Sequence, residues 1–91
     1  MTDDWKSKYD SVGLFHEGLA YVQLGDDKTG KWGFVNTQGK EVIPLKYDNA
    51  GFFSEGLAIV KLNGKIGYVD KEGNEYWDMT ADAARRQMRN R

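Results

Sequence analysis

The chain has 91 residues, the size of one small domain, and its 40% hydrophobic content, rich in Trp, Tyr and Phe, is enough for a thin core and too high for a disordered segment. It has no cysteine, which excludes a disulfide framework and a thiolate metal site, and no run approaches the roughly 18 apolar residues of a membrane span. The net charge of −1 is uneven: residues 1–78 carry −4, residues 79–91 carry +3, and every arginine lies in the last seven residues. An acidic body argues against broad phosphate-backbone binding, leaving nucleic acid only the arginine tail. With no apolar leader at the start, the expected location is cytoplasmic.

In chain order, the first candidate element is residues 3–6. Trp5 stands 38 positions before Ile43, and this spacing predicts a strand preceding the body. That offset is the key to the chain. Residues 8–24 align with residues 46–62 at offset 38 with 11 identities in 17, and residues 30–41 align with 64–75 at offset 34 with 6 in 12. One unit is used twice, as repeat 1 (residues 8–45) and repeat 2 (residues 46–78), with four extra residues in the first copy's Gly25–Gly30 loop. The whole chain, 1–91, is read as a single domain.

Each unit begins with an irregular lead-in through Tyr-Asp and a Phe-x-Glu-Gly turn. A β-favouring run follows, Leu19–Leu24 or Leu57–Leu62. In the second copy Asn63-Gly64 marks a type I′ hairpin, which needs positive φ at both central residues. The partner strand returns at Lys31–Val35 or Lys65–Val69. A further turn leads to a third short strand at residues 40–43, ended by Pro44, or at residues 74–77. Alternation places Ala20, Val22 and Leu24 on one face and Leu19 and Tyr21 on the other, with Ala58, Val60 and Leu62 against Leu57 and Ile59 in the second copy. Both faces are apolar, so the strands are expected to be covered twice, in a sandwich, a barrel or an interface. Gly33 and Gly67 sit mid-strand, where a neighbouring ring is expected to approach bare backbone. Residues 80–90 read as a helix: Asp78 or Thr80 caps it, Arg85, Arg86 and Arg89 suit its negative end, and Ala81, Ala84 and Met88 form one narrow stripe, expected to pack against the sheet, with an open edge as one place it could cover. The fold class is therefore all-β, two tandem antiparallel meanders packed as a small sandwich or barrel-like domain, with a short C-terminal α-helix.

The run Lys31-Trp32-Gly33-Phe34-Val35-Asn36-Thr37-Gln38-Gly39-Lys40-Glu41-Val42-Ile43-Pro44, then Lys46-Tyr47-Asp48 and Phe53-Ser54-Glu55-Gly56-Leu57-Ala58, resembles the WG-repeat family of bacterial proteins. The resemblance covers residues 8–77. The second copy departs from it, with Ile66 at the Trp position and Tyr76-Trp77 at the Val-Ile position. The resemblance implies a β-repeat scaffold that mediates binding, with no cofactor and no catalytic residues to carry over.

Among residues that could carry chemistry, His16 is the sole histidine, and its counterpart is Ser54, which favours a turn residue. Glu17 and Glu55 recur, as do Asp10 and Asp48; paired carboxylates can do acid–base work, but duplication and turn chemistry also account for them. The acidic 25–30 loop lacks calcium-loop spacing, and no phosphate-loop string exists. Tyr21, Trp32, Phe34 and Tyr68 could stack bases or sugars, although core packing is the default for rings. Trp32 stands apart because its counterpart is Ile66 and tryptophan is favoured at interface hot spots. The expectation is a non-enzymatic protein-binding module with no metal and no membrane partner. Its candidate surface is Trp32, Tyr21, Asp26, Asp27 and Lys28, together with the helix residues Arg85, Arg86 and Arg89. A homo-oligomer is also compatible with the twofold apolar strands. The alternatives are an occluding inhibitor or accessory protein using the arginine helix and, more weakly, a carbohydrate- or nucleotide-processing enzyme using Glu17 and Glu55.

Overall fold

The computed structural model describes residues 4–25 and 30–89. Two antiparallel four-stranded sheets follow one another, and neither closes into a barrel. The first comprises β1 (Ser11–Val12), β2 (Leu19–Leu24), β3 (Lys31–Asn36) and β4 (Glu41–Tyr47). The second comprises β5 (Asn49–Ala50), β6 (Leu57–Leu62), β7 (Lys65–Asp70) and β8 (Glu75–Trp77). Each copy thus has four strands, not three. The lead-in after Tyr-Asp forms a two-residue edge strand, pairing Ser11 with Gln23 and Asn49 with Lys61.

The turns follow from backbone geometry. Glu17-Gly18 and Glu55-Gly56 have positive φ at both residues (56° and 84°, 51° and 85°), as Asn63-Gly64 does at 55° and 82°. Asn63-Gly64 joins β6 to β7, and the two Glu-Gly pairs each close an isolated antiparallel bridge, His16 with Leu19 and Ser54 with Leu57. Mirror-image two-residue turns suit antiparallel pairing in all three places. A glutamate in this region is strained, so something must hold it.

Three sequence expectations give way to tertiary packing. Residues Asp4–Lys8 form a 3-10 helix rather than a strand. Pro44 does not end its strand: β4 runs through it to Tyr47, with register irregularities on either side of the Phe34–Ile43 pair. Because β4 is an edge strand, the missing amide costs no ladder bond, and the irregularity turns Leu45 towards the opposite cluster from Ile43. At Gly33 the close neighbour is backbone, with Ile43 O 2.6 Å from an added Cβ; only at Gly67 does a ring, that of Trp77, lie against the bare strand.

The apolar faces build three successive clusters. In sheet 1, Ala20, Val22 and Val35 are sealed by Trp5 and Tyr9 from the N-terminal segment, with Val12 and Leu45. The opposite face, Leu19, Phe34 and Ile43, packs against Ala58, Val60 and Val69 of sheet 2, and Phe53 meets Phe34 edge-on at 4.7 Å. The outer face of sheet 2, Leu57, Tyr68 and Tyr76, receives the helix α1 (Ala81–Arg89) through Ala81, Ala84 and Met88, with Met79 from the segment just before it. α1 therefore covers a sheet face, not an edge. Thr80 Oγ caps it by accepting from Ala83 N at 3.1 Å.

The stacking is head-to-tail. The Leu/Phe face of repeat 1 meets the Ala/Val/Val face of repeat 2, so opposite faces of the same unit form the joint.

Candidate interaction surface

The residues shared by both copies are absorbed by folding. Asp10 Oδ2 accepts from Gly25 N at 2.6 Å, and Asp48 Oδ2 accepts from Asn63 N at 2.8 Å, so each Tyr-Asp clasps the end of its own β2- or β6-type strand. The tyrosine hydroxyls donate to the equivalent glutamates, Tyr9 to Glu41 at 3.0 Å and Tyr47 to Glu75. Burial, then the hydrogen bond to Glu75, pushes the Tyr47 phenol well above its ordinary value. Burial pushes Glu75 up, but hydrogen bonds from Lys46, Tyr47 and Trp77 outweigh it, and the carboxyl lies below the usual range. Asn36 and Asp70 each accept two backbone amides in the turn before the last strand.

The recurrent glutamates are used differently. Glu17 reaches across the joint and accepts from Glu55 N at 2.5 Å and Gly56 N at 2.9 Å, pinning the turn of repeat 2. Lys71 lies 3.4 Å from the same carboxylate. The bond from Gly56 N is the largest of the influences that hold its pKa below the ordinary value. The Glu55 carboxylate faces the helix instead of another turn. The Glu55 side chain is 76% exposed, against 32% for Glu17, and Arg85 of α1 lies 3.7 Å away. The arginine also donates to Glu55 O at 3.2 Å.

Of the residues singled out from sequence, Tyr21 and Trp32 come together as paired rings, 5.0 Å between centroids, half-buried against the joint between the repeats. Tyr21 lies over Gly13, whose added Cβ would fall 2.5 Å from the ring. Asp26, Asp27 and Lys28 lie outside the described residues. Arg85 is engaged by Glu55 and Asp82, whereas Arg86 and Arg89 are exposed. His16 stacks on Phe52 of the second repeat, 4.6 Å between centroids. Among the described residues, no group of three or more His, Asp or Glu side chains is arranged to hold a metal ion. No described helix is long and apolar enough to cross a membrane.

The most exposed apolar surface of the second repeat escaped the sequence reading. Phe52, Ile59 and Ile66 are 57%, 45% and 58% exposed. Ile59 and Ile66 flank a groove of about 210 Å³ floored by Ala50, Gly51 and Val60, and Phe52, Gly51 and Ile59 line a second groove that runs to Ala81 and Arg85 of α1. Their counterparts are Leu14, Tyr21 and Trp32. Tyr21 and Trp32 are half-buried because repeat 2 stacks on that side, and Ile59 and Ile66 are bare because α1, not a third repeat, follows repeat 2. The signal was present in the alternation of β6, which puts Ile59 on the same face as Leu57.

A chain of tandem four-stranded units, joined face to face by side chains at fixed offsets, is a β-repeat protein. It belongs to the WG containing repeat family, whose model matches residues 6–30 and 32–65. No curated protein and no solved structure matches the chain.

Proposed function

We propose that this chain is a non-enzymatic protein-binding module, and that its contact surface is the apolar strip Phe52, Ile59 and Ile66 on the outer side of repeat 2. The observation that carries this reading is the contrast between copies. The face that protein covers at Tyr21 and Trp32 stands open at Ile59 and Ile66, with grooves beside it. Exposed apolar side chains grouped together, unlike scattered ones, mark surfaces built to be covered. The carboxylates that could have served an enzyme are occupied otherwise: Glu17 is kept ionised by backbone donors, a poor condition for a general acid, and Glu55 faces Arg85.

The test is affinity capture from the native host with the full chain as bait, comparing the wild type with Ile59→Glu/Ile66→Glu and with Arg86→Ala/Arg89→Ala. A partner held by the wild type and by the arginine variant, and lost from the isoleucine variant, is the expected outcome. Loss from the arginine variant alone would replace this reading with an occluding role for the helix.

A further inference from the structure

We propose that Trp5 and α1 are terminators of the repeat stack, and that the occupant they exclude is a second copy of this chain arriving head-to-tail. The middle cluster shows what an open joint looks like. It is made of two halves: Ala58, Val60 and Val69 with Tyr47 and Phe53 from repeat 2, and Leu19 and Phe34 from repeat 1. The N-terminal cluster contains four of the five residues of the first half again, Ala20, Val22 and Val35 with Tyr9, while Phe15, the counterpart of Phe53, stays 37% exposed. The C-terminal cluster contains Leu57 and Tyr68, the counterparts of Leu19 and Phe34, whereas Trp77, the counterpart of Ile43, packs on the middle cluster. Bringing the C-terminal face of one copy to the N-terminal face of another rebuilds the Leu and aromatic part of the middle joint, with residue 5 at the Ile43 position. Such a contact is heterologous, using different faces on the two partners, and nothing in its geometry closes it. A repeat stack needs ends that stop it.

Both ends carry a stop. At the N-terminal face the ring of Trp5 does the work of two residues. It stands at the offset of Ile43, and it meets Phe15 edge-on at 6.1 Å as Phe34 meets Phe53 inside. A tryptophan in place of isoleucine supplies the aromatic surface that a preceding repeat would bring. At the C-terminal face, Ala84 and Met88 lie on Leu57 and Tyr76, where the next Ala/Val/Val face would lie. The polar contact is also reproduced. Inside the stack a glutamate of one repeat pins the Glu-Gly turn of the next, and at the end Arg85 engages Glu55 instead. α1 is thus a substitute for a third repeat, both in the apolar side chains it presents and in the charge it meets.

This proposal goes beyond the partner-binding reading and does not rest on it: Ile59 and Ile66 are exposed beside the cluster that α1 seals, and the masses measured below involve no partner other than this chain. It is tested by opening one end at a time in the full chain. Ala84→Arg places a charged side chain at a fully buried helix position and lifts α1 from the C-terminal face. Trp5→Ile returns the internal residue type to the N-terminal face. The masses of each variant alone and of the mixture are read by light scattering, with circular dichroism and a cooperative unfolding transition as the check of folding. The expected result is that each variant alone stays at the 10.4 kDa of the monomer, that the mixture forms a 1:1 pair of twice that mass, and that the doubly opened chain grows into open oligomers. Since the chain has no cysteine, Glu55→Cys in the Ala84→Arg chain and Glu17→Cys in the Trp5→Ile chain should cross-link the pair under oxidation. Folded variants that stay monomeric when mixed, or that associate as readily alone as together, would overturn the proposal. Should Ala84→Arg fail to fold, Met88→Asp opens the same face, with the same masses expected. Failure here leaves capture through Ile59 and Ile66 unaffected, so the two readings fall separately.

Discussion

Glu17 and Glu55 occupy the same turn of the same unit, with φ values within a few degrees of each other, yet only one of them has a neighbour to hold. Glu17 joins two repeats through two backbone amides, whereas Glu55 stands in water beside an arginine from a helix. The same asymmetry runs through Phe34 and Tyr68, Trp32 and Ile66, Tyr21 and Ile59. Position in the stack, rather than residue type, determines what each side chain contributes. A repeat unit has two unlike faces, and its stability depends on what each face meets.

The largest expected difference between the copies lies in the core. Phe34 is fully buried between the sheets and touches Phe53. Phe34→Ala should cost about 3–5 kcal/mol. Tyr68, half-buried under α1, should cost no more than about half as much when changed to alanine, because it gives up less buried area. Urea midpoints at constant slope measure both; equal losses would mean that the joint between repeats is no tighter than the helix cap.

Next come the glycines of the turn before each last strand. Gly39 and Gly73 both have positive φ, 81° and 88°, so alanine at either should cost about 1 kcal/mol of backbone strain. At Gly39 the ring of Trp5 fills the space where a Cβ would go, whereas nothing lies within 4 Å at Gly73. Gly39→Ala should therefore lose about 2–3 kcal/mol in all, the added part being displacement of the Trp5 ring. The excess over Gly73→Ala should disappear in a Trp5→Ala background, which thermal denaturation of the single and double variants measures.

The smallest contrast concerns the glutamates. Glu17→Gln should cost about 1 kcal/mol at neutral pH, a charge-assisted contact discounted for partial exposure, and Glu55→Gln less than about 0.5 kcal/mol. Glu55→Gly should be neutral or stabilising, since it relieves a left-handed glutamate that pins nothing. The Glu17 contribution has a definite pH sign. Its folded-state pKa is depressed, so the stabilisation is complete above the unfolded value of about 4.3 and is lost as pH falls through the lower folded value. The gap between wild type and Glu17→Gln should close in acid, and a gap that widened would contradict the assigned hydrogen bonds.

Much of this molecule was legible without coordinates. The two offsets, the Asn63-Gly64 turn, the apolar alternation of β2 and β6 and the Thr80 cap are all local patterns, set within a few residues by backbone sterics and side-chain periodicity. The candidate surface was read less well. Trp32 and Tyr21 stand out by residue type, but their burial comes from the second sheet stacked on them, and Ile59 and Ile66 are bare because α1 covers only the Leu57 and Tyr76 part of their face. Neither fact is contained in a local pattern.

By itself, then, the sequence determined the unit: which residues form strands, which turn, and which two faces are apolar. Only the tertiary structure decided which face meets which, that Pro44 lies within a strand, that residues Asp4–Lys8 coil into a 3-10 helix under sheet 1, and that α1 lies on a face. The physical reason is that periodicity specifies that a face must be buried without specifying its partner. Two apolar faces per unit admit several stackings, and the choice among them belongs to the fit of Phe53 on Phe34, Trp5 against Gly39 and Glu17 on the turn beyond it.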